Sequence, residues 1–104
     1  ALKHYDWCLF IGHLVVEKTL KAHYVRDNRV FPPKTHDLIL LASKVNYSFS
    51  EQELIILEQT NNFNLEARYP DEKLTFYKVC NMEYTEKHFN NIKKIYQCLK
   101  SDLK

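Results

Sequence analysis

Gly12 is the only glycine in this 104-residue chain, and this scarcity constrains the fold more than any other feature. Sheet-containing proteins usually need several glycines for tight turns, because glycine adopts positive φ angles without steric strain. One glycine also cannot form the GxGxxG or GxxxxGK[ST] loops that bind nucleotide phosphates. We therefore expect an all-α fold, with one domain over residues 1–104.

Capping residues and helical periodicity predict two helices in the first part of the chain. The first has Asp6 as its N-cap and runs to about Arg26. Its apolar first half is expected to be buried on most sides, and its charged second half to emerge into solvent. RDNRVFPPK then forms a loop, since two prolines forbid a helix, and Thr35 is expected to cap a short second helix.

Two further helices are predicted in the second part of the chain. Ser50 and Glu53 have the spacing of a capping box, which opens a helix that ends near Asn62. Residues 63–83 are expected to form an ordered loop with a helical turn, because Pro70 stops any helix at Tyr69. Thr85 is expected to cap the last helix, whose apolar side chains recur at helical spacing: Phe89, Ile92, Ile95, Tyr96 and Leu99.

Charge and cysteine content limit the class of protein. The formal net charge is +2, which does not by itself indicate a nucleic-acid-binding protein. The three cysteines are odd in number and form no CxxC pair, so we expect reduced thiols and a cytoplasmic location. The longest apolar run, WCLFIGHLVV, is too short to span a bilayer, so no membrane association is expected.

The stretch FPPKTHDLILL places His36 and Asp37 directly after the two prolines, and Arg29 lies shortly before them. Six residues separate Arg29 from His36. A histidine can transfer protons near neutral pH, and an arginine can stabilise a phosphate in its transition state. This pair would be sufficient for metal-independent RNA cleavage. The structural alternative is that His36 and Asp37 simply open a helix.

EKTLKA places Glu17, Lys18 and Lys21 within about one helical turn. Glu17 and Lys21 have i,i+4 spacing and can form an ion pair on a solvated helix face. The functional alternative is a basic edge that contacts phosphate.

ARYPD brings together Arg68, Tyr69 and Asp71. The structural interpretation is a turn, in which proline fixes φ and Asp71 accepts hydrogen bonds from the backbone. The functional alternative is an anion contact by Arg68, with Tyr69 as a stacking face.

Metal and cofactor sites are not indicated. His13 and Glu17 have i,i+4 spacing, but the fuller H-E-x-x-H pattern is absent. We expect His13 to be a core or interface histidine, and we predict no metal site and no cofactor.

Taken in order, YDWCLF…EKTLKA, PPKTHDL and EARYPD resemble the HEPN domain over about Tyr5 to Asp71, and a final amphipathic helix follows. The resemblance implies an up-and-down antiparallel helical bundle, similar to the substrate-binding domain of kanamycin-type nucleotidyltransferases. The family has a helix before the YDW segment, where this sequence has only Ala1 to His4. We therefore expect the first family helix to be missing.

The resemblance also implies a homodimer that binds nucleotide or RNA and is the partner of a separately encoded minimal nucleotidyltransferase. The alternative is a metal-independent endoribonuclease toxin of a toxin–antitoxin pair, so the sequence leaves open whether the chain is an enzyme. Phosphate contacts would come from Lys18, Lys21, His36 and Arg68. Supporting or turn positions would be Glu17, Asp37, Tyr69 and Asp71, and the catalytic pair of a ribonuclease would be Arg29 and His36.

Overall fold

The computed structural model describes residues 5–68 and 78–103, apart from the side chains of Asp6 and residues 65–68. Within these residues the chain forms α1 (Tyr5–Asn28), α2 (Leu38–Ser43), α3 (Glu51–Arg68) and α4 (Met82–Asp102). No strand occurs in the described part of the chain, which confirms the all-α prediction. Ala1 to His4, on which the expectation of a missing first helix depends, lie outside it.

The three long helices run up, down and up. Gly12 of α1 faces Ile92 of α4, and His23 of α1 bonds to the backbone of Leu99, so α1 and α4 run in the same direction. Phe63 packs against Tyr84, which places the end of α3 beside the start of α4. The helix α3 is therefore antiparallel to both, and this confirms the up-and-down arrangement.

The helix α1 lies at the centre of the fold and contacts the other three helices. Its buried face combines apolar side chains with four polar ones, His13, Glu17, Thr19 and His23. The prediction that its apolar first half is buried on most sides is wrong, because Trp7 and Ile11 lie on the opposite side and are exposed. Asp6 lies inside the helix and is therefore not its N-cap.

The end of α1 is fixed by a left-handed residue and by contacts to α4. Arg29 has φ 56°, and its amide donates to the carbonyl of Val25 at 2.8 Å, which closes the helix. Nε2 of the buried His23 donates to the carbonyl of Leu99 at 2.8 Å. Arg26 donates to the backbone carbonyl and to the carboxylate of Asp102, so the two helix ends are held together.

Residues 29–37 connect α1 to α2 and are called the elbow below. Asp37, not Thr35, is the N-cap of α2: its carboxylate accepts from the amides of Ile39 and Leu40 at 3.0 and 3.3 Å. The Thr35 hydroxyl instead accepts from the amide of Asp37 at 3.1 Å. Thr35 therefore stabilises the turn that positions Asp37 as the cap. A threonine in such a turn has the same sequence appearance as an N-cap.

The capping box of α3 is confirmed, but the predicted helix end is wrong. The Ser50 amide donates to the Glu53 carboxylate at 3.0 Å, and the Glu53 amide donates to the Ser50 hydroxyl at 3.1 Å. The helix continues past Asn62 to Arg68. Nothing between these residues interrupts a helix, and Pro70 is the first residue that would.

The helix α4 begins one turn earlier than predicted. Asn81 is its N-cap and accepts from the amide of Tyr84 at 2.8 Å, while Thr85 lies inside the helix and is buried. The predicted apolar face is confirmed for Ile92, Ile95 and Leu99. Phe89 is an exception: it is exposed on the solvent side of that face.

Candidate functional site

A buried carboxylate in the middle of α1 organises the candidate site. Glu17 is only 1% exposed, and both of its oxygens are engaged. Oε2 accepts from Nζ of Lys21 at 3.0 Å, one helical turn further on. Oε1 lies 2.8 Å from Nδ1 of His36, which belongs to the elbow. Glu17 thus links α1 to a residue nineteen positions away.

The pKa of Glu17 is lowered from its ordinary value. Burial alone raises the pKa of this carboxyl, but hydrogen bonds from His36 and Lys21, together with the charges of these two groups, outweigh it. Glu17 is therefore ionised at neutral pH and acts as a hydrogen-bond acceptor towards His36. The proton of this hydrogen bond lies on Nδ1 of the ring.

His13 fixes the backbone of the same residue. It is fully buried on α1, and its Nε2 donates to the carbonyl oxygen of His36 at 3.0 Å. Because a carbonyl only accepts, Nε2 of His13 carries the proton. Burial lowers the pKa of His13, against the opposing effects of this hydrogen bond and of the Glu17 charge. His36 is therefore held at its ring by Glu17 and at its backbone by His13.

Asn61 of α3 holds the end of the elbow from the other side. Its side-chain oxygen accepts from the amide of Leu38 at 2.8 Å, and its side-chain nitrogen donates to the Asp37 carboxylate at 2.9 Å. The hydrogen bond from Asn61, with those from the backbone of α2, lowers the pKa of Asp37. The contacts of Asp37 described here lie within the fold, which assigns it a structural role.

Three groups that can carry positive charge lie around Glu17. His36 is 48% exposed at its side chain, and the Lys21 side chain is 17% exposed. Lys18 is exposed and has i,i+3 spacing to Lys21, so the two are neighbours on the helix surface. The surface beside the buried carboxylate therefore presents His36, Lys18 and part of Lys21 to solvent.

Arg29 does not share this surface with His36. It lies twelve residues after Glu17 in sequence, at the C-terminal end of α1. At about 1.5 Å per residue this is roughly 18 Å along the helix axis. The elbow runs back along α1 from Arg29 to the level of Glu17. The sequence spacing of Arg29 and His36 thus does not translate into one shared site.

The third predicted segment lies at the edge of what the structure describes. Arg68 is the last residue of α3, and its side chain lies outside the described residues. Tyr69 and Asp71 also lie outside them, so their predicted roles stay predictions.

Two contributors to the site were not recognised as such from the sequence. His13 was expected to be a core histidine, which is correct, but its hydrogen bond to the His36 carbonyl depends on how the elbow folds back. Asn61 lies in an unremarkable polar run of α3, and nothing in its neighbourhood marks it as a contact to α2. Both interactions span twenty or more residues.

The arrangement of Glu17 and His36 can perform two kinds of chemistry. A carboxylate that accepts from Nδ1 fixes the tautomer and orientation of an imidazole, and directs its Nε2 away from the carboxylate. Protonated, such a ring donates to an anion; neutral, it can take up a proton. Among the described residues, no three histidine, cysteine, aspartate or glutamate side chains gather as a metal site would require.

Within the described part of the chain, no helix is both long enough and apolar enough to cross a bilayer.

No curated protein and no solved structure gives a significant match to the chain. A sequence model of the HEPN domain matches residues 1–102, nearly the full length, and this confirms the resemblance drawn from the motifs. The chain therefore belongs to the HEPN domain family.

Proposed function

We propose that the chain binds the phosphate of a nucleotide or of RNA at the surface formed by His36, Lys18 and Lys21. The observation that carries this proposal is the hydrogen bond of 2.8 Å between Glu17 and His36. It holds a partly exposed ring in one orientation, and two lysines, Lys18 and Lys21, lie within the helical turn that follows the buried carboxylate. Arg68 is proposed as a further cation of the same site.

The charges around the site support an anionic ligand. The negative charge of Glu17 is buried and engaged by Lys21 and His36, so it is shielded from a ligand outside. Lys18 adds a positive charge at the surface, and a protonated His36 adds another. We therefore expect micromolar binding that weakens as salt is added, because each phosphate contact releases counterions.

A second candidate function is metal-independent RNA cleavage, and the Glu17–His36 pair is the observation that favours it. In that reaction the Nε2 of neutral His36 would take the proton of a ribose 2′-hydroxyl. The 2′-oxygen would form a bond to the adjacent phosphorus while the bond to the 5′-oxygen breaks, and the departing 5′-oxygen would take up a proton from water, which leaves a 2′,3′-cyclic phosphate and a 5′-hydroxyl. Since Arg29 lies roughly 18 Å along α1 from Glu17, Lys18, Lys21 or Arg68 would have to stabilise the phosphate.

The partner of the chain is proposed to be a separately encoded minimal nucleotidyltransferase, in a two-component or toxin–antitoxin pair in the cytoplasm. A homodimer is proposed as the assembly. The exposed side chains Trp7, Ile11 and Val15 support it, because they recur every four residues along one side of α1. A continuous apolar stripe of this kind is typical of a surface that another chain covers.

The experiment that tests the site is fluorescence anisotropy with a labelled RNA of about eight nucleotides, in EDTA and at several salt concentrations. We expect His36→Ala to weaken binding about tenfold. Lys18→Ala should weaken it less and reduce the slope of log K against log salt by about 0.7. Lys94→Ala, an exposed lysine of α4, is the matched control and should bind like wild type.

The same samples, analysed by gel electrophoresis, separate the two candidate functions. Intact RNA in every sample supports binding without cleavage. Cleavage by the wild type and by Lys94→Ala that is absent in His36→Ala would establish the ribonuclease alternative. Equal binding by the wild type and His36→Ala would contradict the proposed site.

A further inference from the structure

We infer that the elbow carries a second contact for RNA, in which Phe31 stacks on a base and Arg29 binds a phosphate, so that the ligand is a single strand of several nucleotides. This inference rests on the proposed phosphate site at His36 and specifies its substrate class. The two contacts lie at opposite ends of the elbow.

Phe31 is the starting observation, because it is 95% exposed. No other large apolar side chain among the described residues is exposed to this degree. A phenylalanine ring that stays in water contributes no burial free energy to folding, and exposed aromatic faces are typical of surfaces that stack on nucleic-acid bases. The backbone that follows Phe31 is restrained. Pro32 and Pro33 have fixed φ angles, and the Thr35 amide donates to the Pro33 carbonyl at 2.9 Å.

An open groove adjoins the ring and supplies a cation. It is lined by Val25, Arg26, Arg29, Val30 and Phe31. Arg26 is engaged by Asp27 and Asp102, so Arg29 is the arginine of the groove that faces solvent. Its backbone is held in the left-handed region by the hydrogen bond to Val25, which fixes where its side chain starts.

The distance between the two ends of the elbow sets the length of the ligand. Arg29 and Glu17 are roughly 18 Å apart along α1, and His36 lies beside Glu17. At about 3.4 Å per stacked nucleotide, this distance corresponds to about five nucleotides. A mononucleotide therefore cannot contact both ends. Lys34 is exposed between the two ends of the elbow and adds a positive charge there.

The distribution of charge favours RNA over a protein partner. Arg29, Lys34, His36 and Lys18 are spread along the elbow and the adjacent face of α1, as a polyanionic strand would require. The apolar part of the groove is confined to the end that holds Phe31. A protein partner that needs Phe31 would bind it independently of RNA, and this is an outcome of the test below.

The test compares an RNA of about eight nucleotides with a mononucleotide, for wild type, Phe31→Ala and Phe31→Tyr. We expect Phe31→Ala to weaken binding of the longer RNA about tenfold and to leave binding of the mononucleotide unchanged. Phe31→Tyr keeps an aromatic face and should bind like wild type. Met82→Ala, at another exposed apolar side chain, is the control.

Three results would overturn the inference, and they differ from one another. In the first, Phe31→Ala binds the longer RNA like wild type, and mononucleotide binding still depends on His36. This result would show that Phe31 does not contact RNA, and it would leave the proposed function intact. Unchanged RNA binding with a loss of self-association in sedimentation assigns Phe31 to a protein interface. If wild type binds neither ligand, the proposed function itself is wrong.

Discussion

Oε1 of Glu17 lies 2.8 Å from Nδ1 of His36, and this contact joins the middle of α1 to the far end of the elbow. It combines a fully buried acceptor with a half-exposed donor. The same carboxylate is bonded to Lys21, and the same elbow residue is bonded through its backbone to His13. The stability of the fold and the geometry of the proposed site therefore depend on the same few contacts.

Replacement of Glu17 by alanine should destabilise the protein. The change removes the acceptor for His36 and Lys21 and leaves a small cavity in the buried face of α1. Hydrogen bonds to charged groups contribute about 1.5–3 kcal/mol, so we expect a loss of about 2–3 kcal/mol in urea unfolding. Glu58→Ala, at an exposed glutamate of α3, should change stability by less than about 0.5 kcal/mol. Equal effects of the two substitutions would show that Glu17 is not an organising residue.

Replacement of Asn61 by alanine should loosen the end of the elbow. The Leu38 amide would lose its acceptor, and the Asp37 carboxylate would lose a donor. We expect a destabilisation of about 1–3 kcal/mol by thermal or urea unfolding, because one buried donor is left without a partner. Asn62→Ala removes the same side chain from the adjacent exposed position and is the matched control. Similar stability of both variants would argue against this bridge.

Stability should fall as the pH is lowered through the range in which histidine titrates. The pKa of His13 lies below its ordinary value of 6.5, mainly because of burial. The unfolded chain therefore takes up a proton at His13 at a higher pH than the folded protein does, and the free energy of unfolding decreases on acidification. This decrease continues until the pH passes below the lowered pKa of the folded state.

His13→Gln provides the comparison for this pH dependence. Glutamine does not titrate and retains an N–H group that can donate to the carbonyl of His36. Urea unfolding at about pH 7.5 and about pH 5.5 should show that the free energy of unfolding falls more on acidification for wild type than for the variant. His88, whose pKa is also lowered by burial, is present in both proteins and does not affect the difference. An identical loss in both would mean that His13 is not the titrating group.

Gly12 and Ile92 should be energetically coupled. A Cβ atom at Gly12 would lie 3.0 Å from Cδ1 of the buried Ile92. Gly12→Ala gains about 1 kcal/mol of helix propensity, but the contact opposes this with an overpacking penalty of about 1–3 kcal/mol. In the Ile92→Val background, which lacks Cδ1, the same substitution should stabilise by about 1 kcal/mol. A double-mutant cycle measures the difference, and strictly additive effects would contradict the close contact.

Local signals in the sequence identified most of the helices but not all of their ends. The Ser50–Glu53 box was predicted correctly because both of its hydrogen bonds form within four residues. Thr85 and Asn81 are both acceptable caps in isolation, and only the packing of Thr85 into the core decides between them. The burial of α1 was mispredicted because Trp7 and Ile11 are exposed, whereas Glu17 and His23 occupy core positions that a hydrophobic pattern assigns to solvent.

The site shows the same division between local and long-range information. The residues Glu17, Lys21 and His36 were all identified as candidates, and the Glu17–Lys21 pair follows directly from helical spacing. That Glu17 also binds His36 depends on an elbow that folds back along α1. The separation of Arg29 from His36 has the same cause. A spacing motif specifies only how many residues separate two side chains. Whether the two side chains are in contact depends on the direction in which the connecting segment runs.

The most direct test of the proposed site is an NMR titration of the ring resonances of His36 with an RNA of about eight nucleotides. We predict that the His36 ring signals shift in a saturable manner, at the same RNA concentrations that saturate anisotropy. The ring signals of His88, which packs against Phe63 and Tyr84, should stay in place. Saturable RNA binding that leaves the His36 signals unmoved would contradict the assignment of this surface as the phosphate site.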